Sequence, residues 1–222
     1  MVFKDRKKAG EFLAKAIKER LNGDLKEPVV VAIPRGGVVV AEPIAKALKA
    51  PIDLVIPRKI GAPFNPEFAV AAITEEGTVF LNPNLSPELM LRLGITEDYL
   101  KEQALKELQE IRRRKEKYLS GLGKIEKEGR DVILVDDGIA TGLTVKAAIA
   151  SLRKENPRRI ILAVPVMPRD KVREFEGIVD ELIVLYAPVD FSAVGQFYYD
   201  FSQTTDEEVI ETLKENRGEI QS

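Results

Sequence analysis

Apolar residues along this chain fall into two alternating rhythms. Phe12, Leu13, Ala16, Ile17 and Leu21 recur at helical spacing within Phe3–Leu21, and Asn22-Gly23 follows as a stop signal. Pro28–Ile33 is then a continuous, mostly β-branched run, which predicts a strand buried on both faces of a parallel sheet. Pro34-Arg35-Gly36-Gly37 breaks that run, Val38–Leu48 returns to helical spacing, and Asp53–Pro57 reads as the next strand. A strand, a helix and a strand in this order make a βαβ unit.

The middle of the chain is less regular. Gly61–Pro66 is rich in turn residues, and Phe68–Ile73 and Thr78–Leu81 predict a hairpin around Thr74-Glu75-Glu76-Gly77. Asn82-Pro83-Asn84 and Ser86-Pro87 read as loop. Thr96 has the character of a helix N-cap, and the helix it opens, Glu97 to about Leu119, is strongly charged with a narrow apolar stripe. The alternation then resumes with strand Asp131–Val135, helix Leu143–Lys154, strand Arg159–Val164, helix Arg169–Phe175 and strand Leu182–Leu185. Pro188–Thr205 is loop-like but carries Phe191, Phe197, Tyr198, Tyr199 and Phe201, and Asp206–Lys214 closes as a helix. The pattern as a whole predicts an α/β fold, a mainly parallel twisted sheet flanked by helices.

Composition narrows the chemistry. The 222 residues include no Cys and no His, so thiolate catalysis, disulfides, imidazole bases and most zinc sites are excluded. Any metal would be a hard cation on oxygen ligands, such as Mg²⁺. With 34 basic and 36 acidic residues the net charge is −2, and no nucleic-acid footprint is visible. No apolar run approaches the roughly 20 residues that span a bilayer. The charged N-terminus lacks a signal-peptide pattern, so the expected location is the cytoplasm and no membrane partner is expected.

The densest chemistry follows the strand Asp131–Val135. Asp136 and Asp137 are placed at the carboxyl end of a buried strand, where open α/β sheets bind ligands. Gly138, Ile139, Ala140, Thr141, Gly142, Leu143 and Thr144 then lead into a helix, whose free amides and positive dipole end suit a phosphate. Asp136 and Asp137 would repel that phosphate, but they suit ribose hydroxyls or the water shell of Mg²⁺. In Pro34-Arg35-Gly36-Gly37 the glycines let amides approach an anion, and Arg35 can pair with phosphate oxygens. Arg58-Lys59 is a second basic pair at the same sheet edge. Walker A is absent, and Gly121-Leu122-Gly123 lacks the third glycine of a dinucleotide fingerprint.

The run Val132–Thr144 resembles the phosphoribosyl diphosphate (PRPP) motif of the type I phosphoribosyltransferases: four apolar residues, an acidic pair, and a small-residue loop ending Thr-Gly-x-Thr. The resemblance implies one domain over 1–222, with a core at about 24–60 and 130–187, a flexible-loop insertion at about 61–129 and a small hood over the base at about 188–205. It also implies diphosphate binding by Arg35, Gly36, Gly37, Arg58 and Lys59, 5-phosphate binding by residues 138–144, and Mg²⁺ as cofactor near Asp136 and Asp137. The catalytic set would be Asp136, Asp137, Arg35 and Lys59, with Phe191, Phe197 and Tyr198 as candidates for stacking on the base. The family's diphosphate loop carries a non-proline cis peptide, expected here at Arg35–Gly36. Arg112-Arg113-Arg114-Lys115 reads first as a solvated helix face, with reach to the diphosphate on loop closure as the alternative.

The activity implied is transfer of phosphoribosyl from PRPP to a nitrogenous base, a purine or a pyrimidine, with release of diphosphate by a homodimer. Hypoxanthine-type members carry an acidic residue where Ala140 stands, so that means of serving a purine is missing; the acceptor base stays open. A non-catalytic PRPP or nucleotide sensor, and a hydrolase of activated sugar phosphates, are the competing readings.

Overall fold

The computed structural model describes residues 1–21 and 23–222, so Asn22 of the expected stop signal lies outside the described residues. Helix α1 spans Arg6–Leu21. It begins three residues later than the apolar pattern predicts, because Phe3 is drawn into backbone pairing with the hood: its amide donates to the Phe197 carbonyl at 2.7 Å. Asp5 then caps the helix, accepting from the Lys8 amide at 2.7 Å. The buried stripe runs through Ala9, Leu13, Ile17 and Leu21. Phe12 is 100° around the helix from Leu13 and stays exposed, against expectation.

Strands β1 (Val29–Ala32), β2 (Ile52–Leu54), β6 (Asp131–Val135), β7 (Arg159–Val166) and β8 (Glu181–Tyr186) form a five-stranded sheet in the order β2-β1-β6-β7-β8. Every pairing in it is parallel. Helices α2 (Gly36–Leu48), α5 (Leu143–Arg153), α6 (Val172–Glu176) and α7 (Asp206–Gln221) complete the alternation. Val29–Ala32, Val132–Val135 and Ile160–Val164 are fully buried, as two-sided burial in a parallel sheet requires. Each such Val, Leu or Ile contributes about 1.5–3 kcal/mol relative to an exposed position.

The insertion builds a second, antiparallel sheet of β3 (Arg58–Ala62), β4 (Asn65–Ile73) and β5 (Val79–Leu81). The hairpin β4–β5 matches the sequence pattern. β3 does not: Arg58-Lys59 was expected to follow a strand and instead begins one, because β2 ends at Leu54 and the chain crosses to the other sheet. Ser86, read from sequence with Pro87 as loop, caps a short helix α3 (Pro87–Arg92) by accepting from Leu89 N at 3.1 Å. Helix α4 (Glu97–Leu119) has the predicted bounds, and Thr96 accepts from Tyr99 N at 3.0 Å. Among the described residues no helix is long and apolar enough to cross a membrane.

The order of the strands positions the site. The chain adds β2 on one side of β1 and β6 on the other, so the winding reverses between β1 and β6. Ala32 pairs with Val135, and Ile33 N donates to Val135 O at 3.0 Å. The loops after β1 and β6 therefore leave the sheet side by side at the switch point, where doubly wound sheets open a crevice.

Candidate active site

At this switch point the loop Pro34–Gly37 lies against Asp136 and Asp137. Gly36 is required by proximity: a Cβ there would sit 2.3 Å from Asp137 Oδ2 and 2.7 Å from Arg6 Nε. The Asp136 Oδ1 accepts the Asp137 amide at 2.8 Å. Asp137 Oδ2 accepts from Arg6 Nε at 2.9 Å, and the Asp137 carbonyl accepts from the Tyr198 hydroxyl at 2.6 Å.

Burial raises the proton affinity of both carboxyls. For Asp136 the neighbouring Asp137 charge pushes further in the same direction, and its pKa lies well above the usual range. For Asp137 the hydrogen bond from Arg6 works against the burial. Burial and the two aspartates also push the Tyr198 hydroxyl up, so it stays protonated and donating.

The non-proline cis peptide lies at Pro34–Arg35, one bond before the expected Arg35–Gly36. Arg35 already has helical dihedrals, and its carbonyl accepts from Val38 N at 3.1 Å. The Arg35–Gly36 peptide thus belongs to the first turn of α2, which demands a trans bond.

The loop from Gly138 leads into α5 at Leu143, where the sequence pattern starts that helix. Gly142 caps α5 with φ +85°, and a Cβ on it would meet the Phe175 ring at 2.6 Å. Both its conformation and its neighbour require glycine. Ala140 and Thr141 are exposed, and with Leu143 they line a cleft of about 930 Å³. Lys59 from β3, Phe68 from β4 and Phe191 from the hood face the same space.

Other predicted residues point elsewhere. Arg35 is paired with Asp206 at 3.7 Å, the residue that also accepts from Tyr118 at 2.6 Å and Lys117 at 2.9 Å. Those two bonds hold the Asp206 carboxyl at about 2, while burial, then the bond to Asp206, pushes the Tyr118 hydroxyl to about 12. Arg58 donates to Glu107 of α4 at 2.7 Å. Phe197 and Tyr198 do not line the cleft: they are 5% and 6% exposed and pack with Phe3, Ala9 and Val166. Within Arg112–Lys115, Arg113 and Arg114 both pair with Glu110, and Lys115 pairs with Glu75.

Three features of the site were not read from the sequence. Lys146, four residues past Gly142 and so on the same face of α5, lines the cleft and is nearly buried against Glu174, its ion-pair partner. Arg169 and Lys171 add charge to the same wall. Arg6 reaches Asp137 across 131 positions of sequence, and no local signal announces such a contact.

Among the described residues no group of three or more acidic side chains is placed to hold a metal. The donor set is instead two adjacent half-buried carboxylates that share one cation, Arg6. That suits Mg²⁺, which keeps several waters and takes one or two carboxylates together with substrate oxygens.

Comparison with known proteins places the chain. The family model for the phosphoribosyl transferase domain matches residues 3–201. A Mycobacterium tuberculosis (strain H37Rv) protein, provisionally named as a phosphoribosyl transferase, is 42% identical over 212 residues, covering 96% of this chain and 46% of its own length. The chain thus spans about half the length of the curated relatives it matches. The crystal structure of TT1426 from Thermus thermophilus superposes with a TM-score of 0.79 at 42% identity, covering 97% of this chain and 99% of that one. With its PRPP-type loop at the switch point and a family match over most of its length, this chain belongs to the phosphoribosyl transferase family.

Proposed function

We propose that the chain binds PRPP and Mg²⁺ and transfers the phosphoribosyl group to a purine or pyrimidine base, releasing diphosphate. The observation that carries this reading is the convergence of Thr141, Lys59 and Phe191, from three separate parts of the chain, on one cleft; Asp136 and Asp137 are not in its lining, which takes up this loop at Ala140, three residues past Asp137. The amides of residues 138–144 at the start of α5 would hold the 5-phosphate, so binding energy remote from the reaction fixes the position of C1. Asp136 and Asp137 would accept the ribose hydroxyls and lie near the positive charge that develops on the ring. Lys59, Arg35 and Arg58 would stabilise the departing diphosphate. The C1–O bond to diphosphate breaks, a C1–N bond to the base forms, and the nitrogen's proton leaves to solvent. Phe191 presents an aromatic face to the base. Mg²⁺, held through water by Asp136 and Asp137, would add positive charge at the diphosphate oxygens.

One observation favours the second reading, a non-catalytic PRPP or nucleotide binder. Arg35 and Arg58 are both neutralised by acids, Asp206 and Glu107, and would have to exchange those partners for diphosphate. The test is calorimetric titration with PRPP and Mg²⁺, followed by turnover with candidate bases. Saturable binding that Asp136→Asn/Asp137→Asn abolishes in a folded protein, with diphosphate released on adding a base, is the expected result. Binding without turnover on any base selects the second reading, and no binding removes both.

A further inference from the structure

Arg6 lies far in sequence from every motif, yet its guanidinium touches three parts of the molecule at once. Nε donates to Asp137 Oδ2 at 2.9 Å, Nη1 donates to the Ser202 carbonyl at 2.6 Å, and Cζ lies 4.0 Å from the centroid of the Phe201 ring. The side chain is only 11% exposed. Ser202 and Phe201 belong to the hood, whereas Asp137 belongs to the end of β6.

The hood is otherwise tied down chiefly by the residues just before α1. Tyr199 N donates to Phe3 O at 2.8 Å and Asp200 N to Lys4 O at 3.0 Å. The Tyr198 ring stacks on Phe201 at 5.1 Å while its hydroxyl donates to the Asp137 carbonyl. Arg6 is thus the side chain through which the Asp137 carboxylate meets the hood. A guanidinium can serve two acceptors and a ring face together because its donors are fixed in one plane.

We propose that Arg6 is a positioning residue that couples the hood to Asp137, so that the seating of the hood and the aim of the carboxylate change together. The inference rests on the ribose role given above to Asp137. It predicts that the side of the cleft facing the base and the side facing the sugar are not independent.

The test has two arms. In the first, hydrogen exchange of residues 198–202 is compared in the wild type, Arg6→Gln, Asp137→Asn and the double variant, without ligand. Asp137→Asn, which weakens one charge-assisted hydrogen bond, should speed exchange on the order of tenfold; Arg6→Gln, which also loses the Ser202 bond and the Phe201 contact, should speed it at least as much, and the double variant should be no faster than Arg6→Gln. Wild-type exchange in Asp137→Asn, or additive effects in the double variant, would overturn the coupling.

In the second arm, Arg6→Gln should weaken PRPP binding about tenfold and leave inorganic diphosphate binding within about twofold. Arg6→Lys, which keeps the charge but not the fork, should recover part of the PRPP affinity and little of the hood protection. Equal losses for both ligands would mark Arg6 as merely structural. If the wild type binds no PRPP, the proposed function falls, and the exchange arm alone decides the coupling.

Discussion

The two sheets of this protein share one apolar core but differ in how much of each lies outside it. The parallel sheet is apolar through its middle strands, and Asp136 and Asp137 stand just beyond the end of β6. The antiparallel sheet β3–β5 buries Ile60, Ala62 and residues 70–73 in the core, but its other half is exposed, and its surroundings carry polar contacts: Arg58 with Glu107, Lys115 with Glu75, Lys154 with Glu76, and Ser151 with Glu76 at 2.9 Å. Hydrophobic burial is large and indifferent to ligand charge, whereas a partly exposed ion pair is worth at most about 1 kcal/mol and can exchange partners. Under the proposed function the sugar phosphate would rest on the rigid sheet, while Lys59 and Arg58 belong to a part of the molecule whose ion pairs can be exchanged at small cost.

The comparison is broken most severely at the rigid side. Gly142→Ala forces a side chain into a left-handed conformation and against Phe175, and should cost about 2–4 kcal/mol of stability, read from urea denaturation. A loss below about 0.5 kcal/mol, on the scale of ordinary surface changes, would show that the loop can relax and that its rigidity is overstated.

Next in size is Glu75, whose Oε2 is buried without a hydrogen-bond partner among the described residues. Burial, only partly opposed by Lys115, raises its pKa in the folded state. The folded chain then holds the proton more tightly than the unfolded chain, so stability falls as pH rises from the ordinary carboxyl range through the raised value. Glu75→Gln should stabilise the protein by about 1 kcal/mol at neutral pH and by progressively less in acid, seen in melting curves across pH. Destabilisation at neutral pH would mean that the pair with Lys115 outweighs the burial.

A smaller effect is expected from Glu107→Gln. Freeing Arg58 should cost less than about 1 kcal/mol of stability and tighten diphosphate binding about threefold in calorimetry. Weaker binding would show that Glu107 aims Arg58 at the ligand. The smallest change is Lys101→Ala on the exposed face of α4, which removes only the i,i+4 pair with Glu97 and should leave melting and binding unchanged.

How much of this was legible in the sequence depends on whether the determinant was local. The bounds of α4 follow from Thr96 and those of β6 from its apolar run, and both elements lie where the pattern puts them. β3 escaped notice because only Ile60 and Ala62 of Arg58–Ala62 are buried, too short a pattern to declare itself. Phe197 and Tyr198 looked like free aromatic faces because their loop gave no period. Their burial depends on Phe3 and Ala9, nearly two hundred positions away.

The sequence by itself determined the α/β alternation, the small-residue loop between β6 and α5 and the exclusion of thiol and imidazole chemistry, since each depends on residue type and near neighbours. Only the tertiary structure decided that Arg6 holds Asp137, that Asp206 and Glu107 hold Arg35 and Arg58, and that Lys146 lines the cleft. The physical reason is one of range. Periodicity and capping act over a few residues, but a charge at a strand end is satisfied by whichever side chain the packing of distant elements brings within about 3 Å.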